Sequence, residues 1–92
     1  MGGMTNEAAF SLGKLKSRAQ LLKPTIRLGK AGATPEFLAA FHETLDSLHL
    51  VKLRFEGKKD ERKTLSKELA AKTGSLLVQQ VGHTAVYFRK PN

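Results

Sequence analysis

The sequence predicts an α/β domain, a small mixed four-stranded sheet with three helices in the order α-β-α-β-α-β-β. Three observations predict it. Apolar residues recur at helical spacing in three segments. They alternate with polar residues in short segments that follow each helix. Glycine or proline interrupts the pattern at the junctions. With 92 residues, 40% of them apolar, the chain suits one domain with a single thin core. Residues 1–9 read as a disordered or cloning-derived N-terminus, and residues 10–92 as the folded domain.

The first helix is expected from about Phe10 to Leu22, because Leu12, Leu15, Ala19 and Leu22 fall on one stripe. Pro24 ends it by forcing the preceding residue towards an extended conformation. Thr25-Ile26-Arg27-Leu28 alternates polar and apolar, a short strand, and Gly29-Lys30-Ala31-Gly32 breaks it. Thr34 is an N-cap residue and Pro35 suits the first helical position, where its missing N–H costs nothing. A second helix follows to about Leu48, with Phe37, Leu38, Phe41, Leu45 and Leu48 on its apolar face.

Val51, Leu53 and Phe55 alternate with Lys52, Arg54 and Glu56, a strand with one charged face. After the turn at Gly57-Lys58-Lys59-Asp60, Asp60 is the expected cap of a third helix that buries Leu65, Leu69 and Ala70. Gly74 closes that helix in a left-handed cap. Leu76 to Val81 and Ala85 to Arg89 form a final hairpin around Gly82-His83-Thr84. Strands separated by helices are expected parallel and the hairpin antiparallel. If Ile26, Leu28, Val51, Leu53, Val86 and Phe88 face the helices, the opposite face carries Arg27, Lys52, Arg54, Tyr87 and Arg89.

Sixteen Lys and Arg against eight Asp and Glu give a net charge of +8. A folded domain with this excess suits a polyanion: RNA, DNA or an anionic membrane surface. The absence of cysteine excludes a disulfide framework, a thiol nucleophile and cysteine-held metal clusters, and fits a reducing cytoplasm. No apolar run approaches the roughly 20 residues of a membrane span, and no signal peptide is visible. Enzyme readings fail on spacing. His42-Glu43-Thr44-Leu45-Asp46 has Asp46 where a zinc protease motif needs its second histidine, and no serine sits in a nucleophile elbow. No cofactor, metal or catalytic residue is expected.

The glycine turn is the most informative motif. Two glycines three apart allow the backbone to come close to a ligand, and the helix behind them directs free N–H groups towards it. Lys30 adds a mobile cation. This is the phosphate-clamping geometry of KH-type loops on single-stranded RNA. Arg27, Lys52, Arg54 and Arg89 on the outer sheet face are expected to add phosphate contacts, with Tyr87 as a stacking surface. Lys58, Lys59 and Arg62 form a further basic cluster at the start of the third helix, partly offset by Asp60 and Glu61.

The stretch Leu21-Leu22-Lys23-Pro24-Thr25-Ile26-Arg27-Leu28-Gly29-Lys30-Ala31-Gly32-Ala33-Thr34 resembles the signature of the CRM domain, whose stand-alone bacterial members are the YhbY-like proteins. Leu50 to Arg54, the Thr73-Gly74 helix end and the hairpin from Gln79 to Arg89 match as well, so the likeness spans roughly residues 12–90. Gln20 and Ala33 depart from the pattern, where a histidine and a larger apolar residue are usual. The resemblance implies a fold like the C-terminal domain of translation initiation factor three. It also implies RNA binding through Gly29, Lys30, Ala31 and Gly32, and association with precursors of the large ribosomal subunit. The expectation is a monomeric, cytoplasmic, non-enzymatic RNA-binding protein. The alternative is an adaptor that docks on a ribosomal protein or other acidic partner.

Overall fold

The computed structural model describes residues 12–57 and 59–91. Residues 1–9 and the expected helical start at Phe10 lie outside them. Among the described residues, helix α1 (Leu12–Ala19) precedes β1 (Ile26–Leu28), α2 (Pro35–Leu48) and β2 (Leu50–Phe55). A short 3-10 turn (Lys59–Glu61) leads into α3 (Arg62–Thr73), followed by β3 (Leu76–Val81) and β4 (Thr84–Phe88). The strands form one sheet in the order β1-β2-β4-β3. β1 runs parallel to β2, and β4 is antiparallel to both its neighbours. This is the predicted mixed α/β architecture, with the hairpin strand β4 inserted at the centre of the sheet.

Local chemistry explains the boundaries. Thr34 caps α2 by accepting the Phe37 N–H at 3.1 Å, and Pro35 follows at the first helical position. The chain leaves α2 through His49, whose φ of 64° is left-handed and is held by its own N–H bond to Leu45 O. α3 ends as predicted at Gly74, with φ 61°. Its start differs. Asp60 lies in the 3-10 turn, and the N-cap is Glu61, without a side-chain cap bond. α1 also stops earlier than predicted. Leu21 and Leu22 donate to Arg18 O and Ala19 O, three residues back, so the last turn tightens before Pro24.

The core has two layers, one on each side of the sheet. α2 and α3 cover Leu28, Val51, Leu53, Phe55, Ala85 and Tyr87 with Phe41, Leu45 and Leu69. α1 covers the other face, where Leu15 and Ala19 pack on Val78, Val86 and Phe88. This corrects the expected parity of β4. Val86 and Phe88 face α1, and Tyr87 points into the main core at 0% exposure. The register dictates it: Val51 pairs with Tyr87 and Leu53 with Ala85, so an inward Val51 carries Tyr87 inward.

Phe41 meets the Tyr87 ring edge-on at 5.0 Å between centroids, and the Tyr87 hydroxyl donates to the Ser66 carbonyl at 3.1 Å. Burial pushes the phenol well above its ordinary value, against the smaller opposing effect of the Ser66 side chain. A raised phenol stabilises the fold fully below the unfolded tyrosine value of about 10 and loses that contribution as pH climbs past it. Stability should therefore fall above about pH 10, and Tyr87→Phe should flatten that alkaline limb in a denaturation series across pH.

Candidate nucleic-acid interface

β1 and β2 end side by side, and the turns that follow them meet the β3–β4 hairpin loop at that same end of the sheet. Two backbone bonds fix the junction: Glu56 N–H donates to Leu28 O at 2.9 Å, and Phe55 N–H to His83 O at 2.7 Å. Gly82 takes a φ of 56° at the first of two loop residues, as a type II′ turn requires. The chain after β1 closes through Gly32 N–H to Gly29 O at 3.1 Å. Gly32 has a φ of 79°, so its glycine is demanded by the turn. Gly29 has no such constraint: its φ is ordinary and a Cβ there would meet nothing within 4 Å. Lys30 and Ala31 at the tip are exposed, and the turn leads directly into the capped start of α2.

Together these loops wall an open groove of about 540 Å3 lined by Lys30, Arg54, Phe55, Glu56, Gly57, Arg62 and His83. Three cations from three separate elements thus converge on one concavity. Arg62 is steadied there by its Nε–H bond to Gly57 O at 3.3 Å. Arg27 is the register partner of Arg54 on the neighbouring strand and pairs with Glu56 at 3.4 Å, both side chains exposed. A surface pair at that distance holds little energy, so a phosphate can compete for Arg27. The groove is concave and positively charged, and beside it lies a glycine turn at a helix start. That arrangement suits a phosphodiester backbone.

Of the residues singled out from the sequence, Gly29, Lys30, Ala31, Gly32, Arg27, Arg54 and Arg62 gather at this end. Three do not. Lys52 lies under α1, where its ammonium donates to Ala19 O at 3.3 Å and Leu22 O at 3.2 Å. It caps the negative end of that helix, and α1 covers part of the face expected to be basic and open. Tyr87 offers no ring face for stacking because it is wholly buried. Arg89 points to the α2–α3 side, with its side chain 20% exposed. It donates to Asp46 at 2.8 Å, to His42 Nδ1 at 2.9 Å and to the Thr73 carbonyl. Lys58 lies outside the described residues, and Lys59 is described by its backbone alone. His83 and Glu56 line the groove although the sequence reading gave them no leading role. The signal for both was position, since each stands next to a strand end that the loop pattern marks.

The chain is similar to known proteins along most of its length. The family model described as the CRS1 / YhbY (CRM) domain matches residues 10–89. A Pseudomonas aeruginosa protein named as a probable RNA-binding protein is 33% identical over 78 residues, covering 84% of this chain and 75% of that one. The solution structure of a candidate RNA-binding protein from Staphylococcus aureus superposes with a TM-score of 0.77 at 28% identity, covering 88% of this chain and 85% of its own.

Proposed function

The chain belongs to the CRS1 / YhbY (CRM) domain family, and from that premise we propose that it binds RNA through the basic groove and the glycine turn beside it. The observation that carries the proposal is the convergence of Lys30, Arg54 and Arg62 on one groove at the foot of α2. The turn from Gly29 to Gly32 holds a backbone phosphate with Lys30, and Arg27, Arg54 and Arg62 hold its neighbours. Lys58 and Lys59 extend the same charge along the sequence. Phosphate contacts position an RNA without reading its bases, so selectivity comes from the shape of a structured RNA. The RNA we propose is ribosomal, within precursors of the large subunit, as the likeness to stand-alone bacterial members implies. The protein acts there as a monomer in the cytoplasm and catalyses nothing. The named relative from Pseudomonas aeruginosa supports RNA as the partner.

Binding to large-subunit ribosomal RNA across a salt series, with duplex DNA as competitor, tests this reading. Each phosphate contact contributes about −0.7 to the log–log slope on single strands, so the four cations predict a slope near −3. Equal competition by DNA would reduce the charge to nonspecific attraction and return the adaptor reading. Gly29→Ala is the sharper variant. The fold tolerates a methyl group there, so thermal stability should hold. Affinity should fall by about tenfold if the phosphate approaches the backbone closely, the distance that glycine permits.

A further inference from the structure

Where the end of α1, the end of α2 and the start of β2 meet, the surface holds an apolar cleft of about 410 Å3. Leu21, Leu22, Leu48 and Leu50 line it, with Arg18 and Thr25. Leu21 is 86% exposed and Leu48 52%. Neither belongs to the two core layers, so the fold gains little from them. Single exposed leucines are ordinary, but two that share one concavity with the half-buried Leu22 and Leu50 are not scatter. Leu50 opens β2 and Phe55, in the wall of the basic groove, closes it. Five residues of strand separate the two sites by about 16 Å. Both can be occupied at once.

The charges nearby select the occupant. Among the described residues, the only charged one in the lining is Arg18. The Lys52 ammonium lies against Leu22 O, and Lys23, next in sequence, is exposed. Glu43 belongs to an adjoining depression on the other side of Leu48. We propose that this cleft docks a short segment of a partner protein, with apolar side chains in the cleft and flanking Asp or Glu carboxylates on Arg18. An RNA strand would find one cation and few hydrogen-bonding groups in the described lining of this cleft, against three cations lining the groove. A second copy in a two-fold contact would set Arg18 near its own symmetry mate, a like-charge arrangement. The domain would then hold RNA at one end and an acidic, leucine-bearing protein segment at the other.

Leucine-methyl NMR of the full chain tests this with two twelve-residue peptides that share one leucine-rich core. One carries glutamate flanks and the other lysine flanks. The expected result is saturable shifts of the Leu21, Leu22, Leu48 and Leu50 methyls with the glutamate-flanked peptide alone, unchanged when RNA fills the groove. Arg18→Glu should weaken that binding by about tenfold or more, and Leu48→Ser likewise, with RNA affinity of the Leu48 variant unaltered. The proposal is overturned if both peptides act equally, and also if neither acts at millimolar concentration. Methyl shifts that follow protein concentration overturn it by assigning the cleft to a second copy. Shifts of the same methyls on removal of residues 1–11 overturn it by assigning the cleft to the chain itself. Shifts caused by RNA or phosphatidylglycerol vesicles where the peptide causes none overturn it as well. Because the readout is local to the cleft, failure of the RNA reading would leave it standing.

Discussion

Replacing Lys30, Arg54 and Arg62 together by alanine should lower affinity for structured RNA by about a hundredfold at moderate salt, since three charge-assisted contacts are removed. The log–log salt slope should become shallower by about 2, at about 0.7 per lost phosphate contact. All three side chains line an open groove, and among the described residues the only hydrogen bond they make to the fold is from Arg62 to Gly57 O. Thermal stability should therefore change little. The control is a second triple variant that removes the same charge elsewhere. Lys16, Lys67 and Lys72 are exposed on α1 and α3, away from the groove. Their replacement by alanine should reduce affinity by only about threefold, through the weaker long-range field. Equal losses from the two variants would mean that net charge, not the groove, attracts the RNA.

The elements were legible because each carries its own local chemistry. Thr34 and Pro35 mark the start of α2, and Gly74 the end of α3, without reference to anything distant. The glycine turn and Arg54 could be placed because the loop and the alternation of β2 are also local signals. The β4 face could not be placed in this way. Ala85, Val86, Tyr87 and Phe88 are all buried because α2 and α3 cover one side and α1 the other. A strand covered on both faces has no polar–apolar alternation to reveal its parity. Tyr87 falls outward once Val86 and Phe88 are taken to face the helices, yet its ring is buried and its hydroxyl has a partner in Ser66 O. Lys52 failed for a related reason. Its strand position is on the outer face as expected, but a helix that ends 33 residues earlier in the sequence lies over it. Only tertiary contact shows that a cation on a sheet face has become a helix cap.

Arg89→Ala should unfold the protein at a temperature about 10–20 °C lower, while the folded protein keeps its RNA affinity. In the sequence Arg89 continues the line of outward cations, and its loss would be expected to weaken RNA binding and spare stability. The structure reverses both expectations. The guanidinium joins Asp46 and His42 of α2 to the Thr73 carbonyl at the end of α3. Its backbone is tied to His49 as well, through Arg89 N–H to His49 O at 2.8 Å. One side chain thus connects the two helices that cover the main core. Removing it leaves the last-turn carbonyl at Thr73 without this donor, in a half-buried setting. Hydrogen bonds to charged groups contribute about 1.5–3 kcal/mol each, and these three share one side chain, so a loss of about 2–3 kcal/mol is the expected scale. The exposed Asp46 pair adds least to that figure. Arg89→Lys should recover less than half of it, because a single ammonium cannot reproduce a planar fork that serves three acceptors in different directions. Thermal melts of the two variants, with RNA affinity measured well below each midpoint, separate the readings. A stable Arg89→Ala protein with weakened RNA binding would return Arg89 to the interface, and the groove would then not be the whole of it.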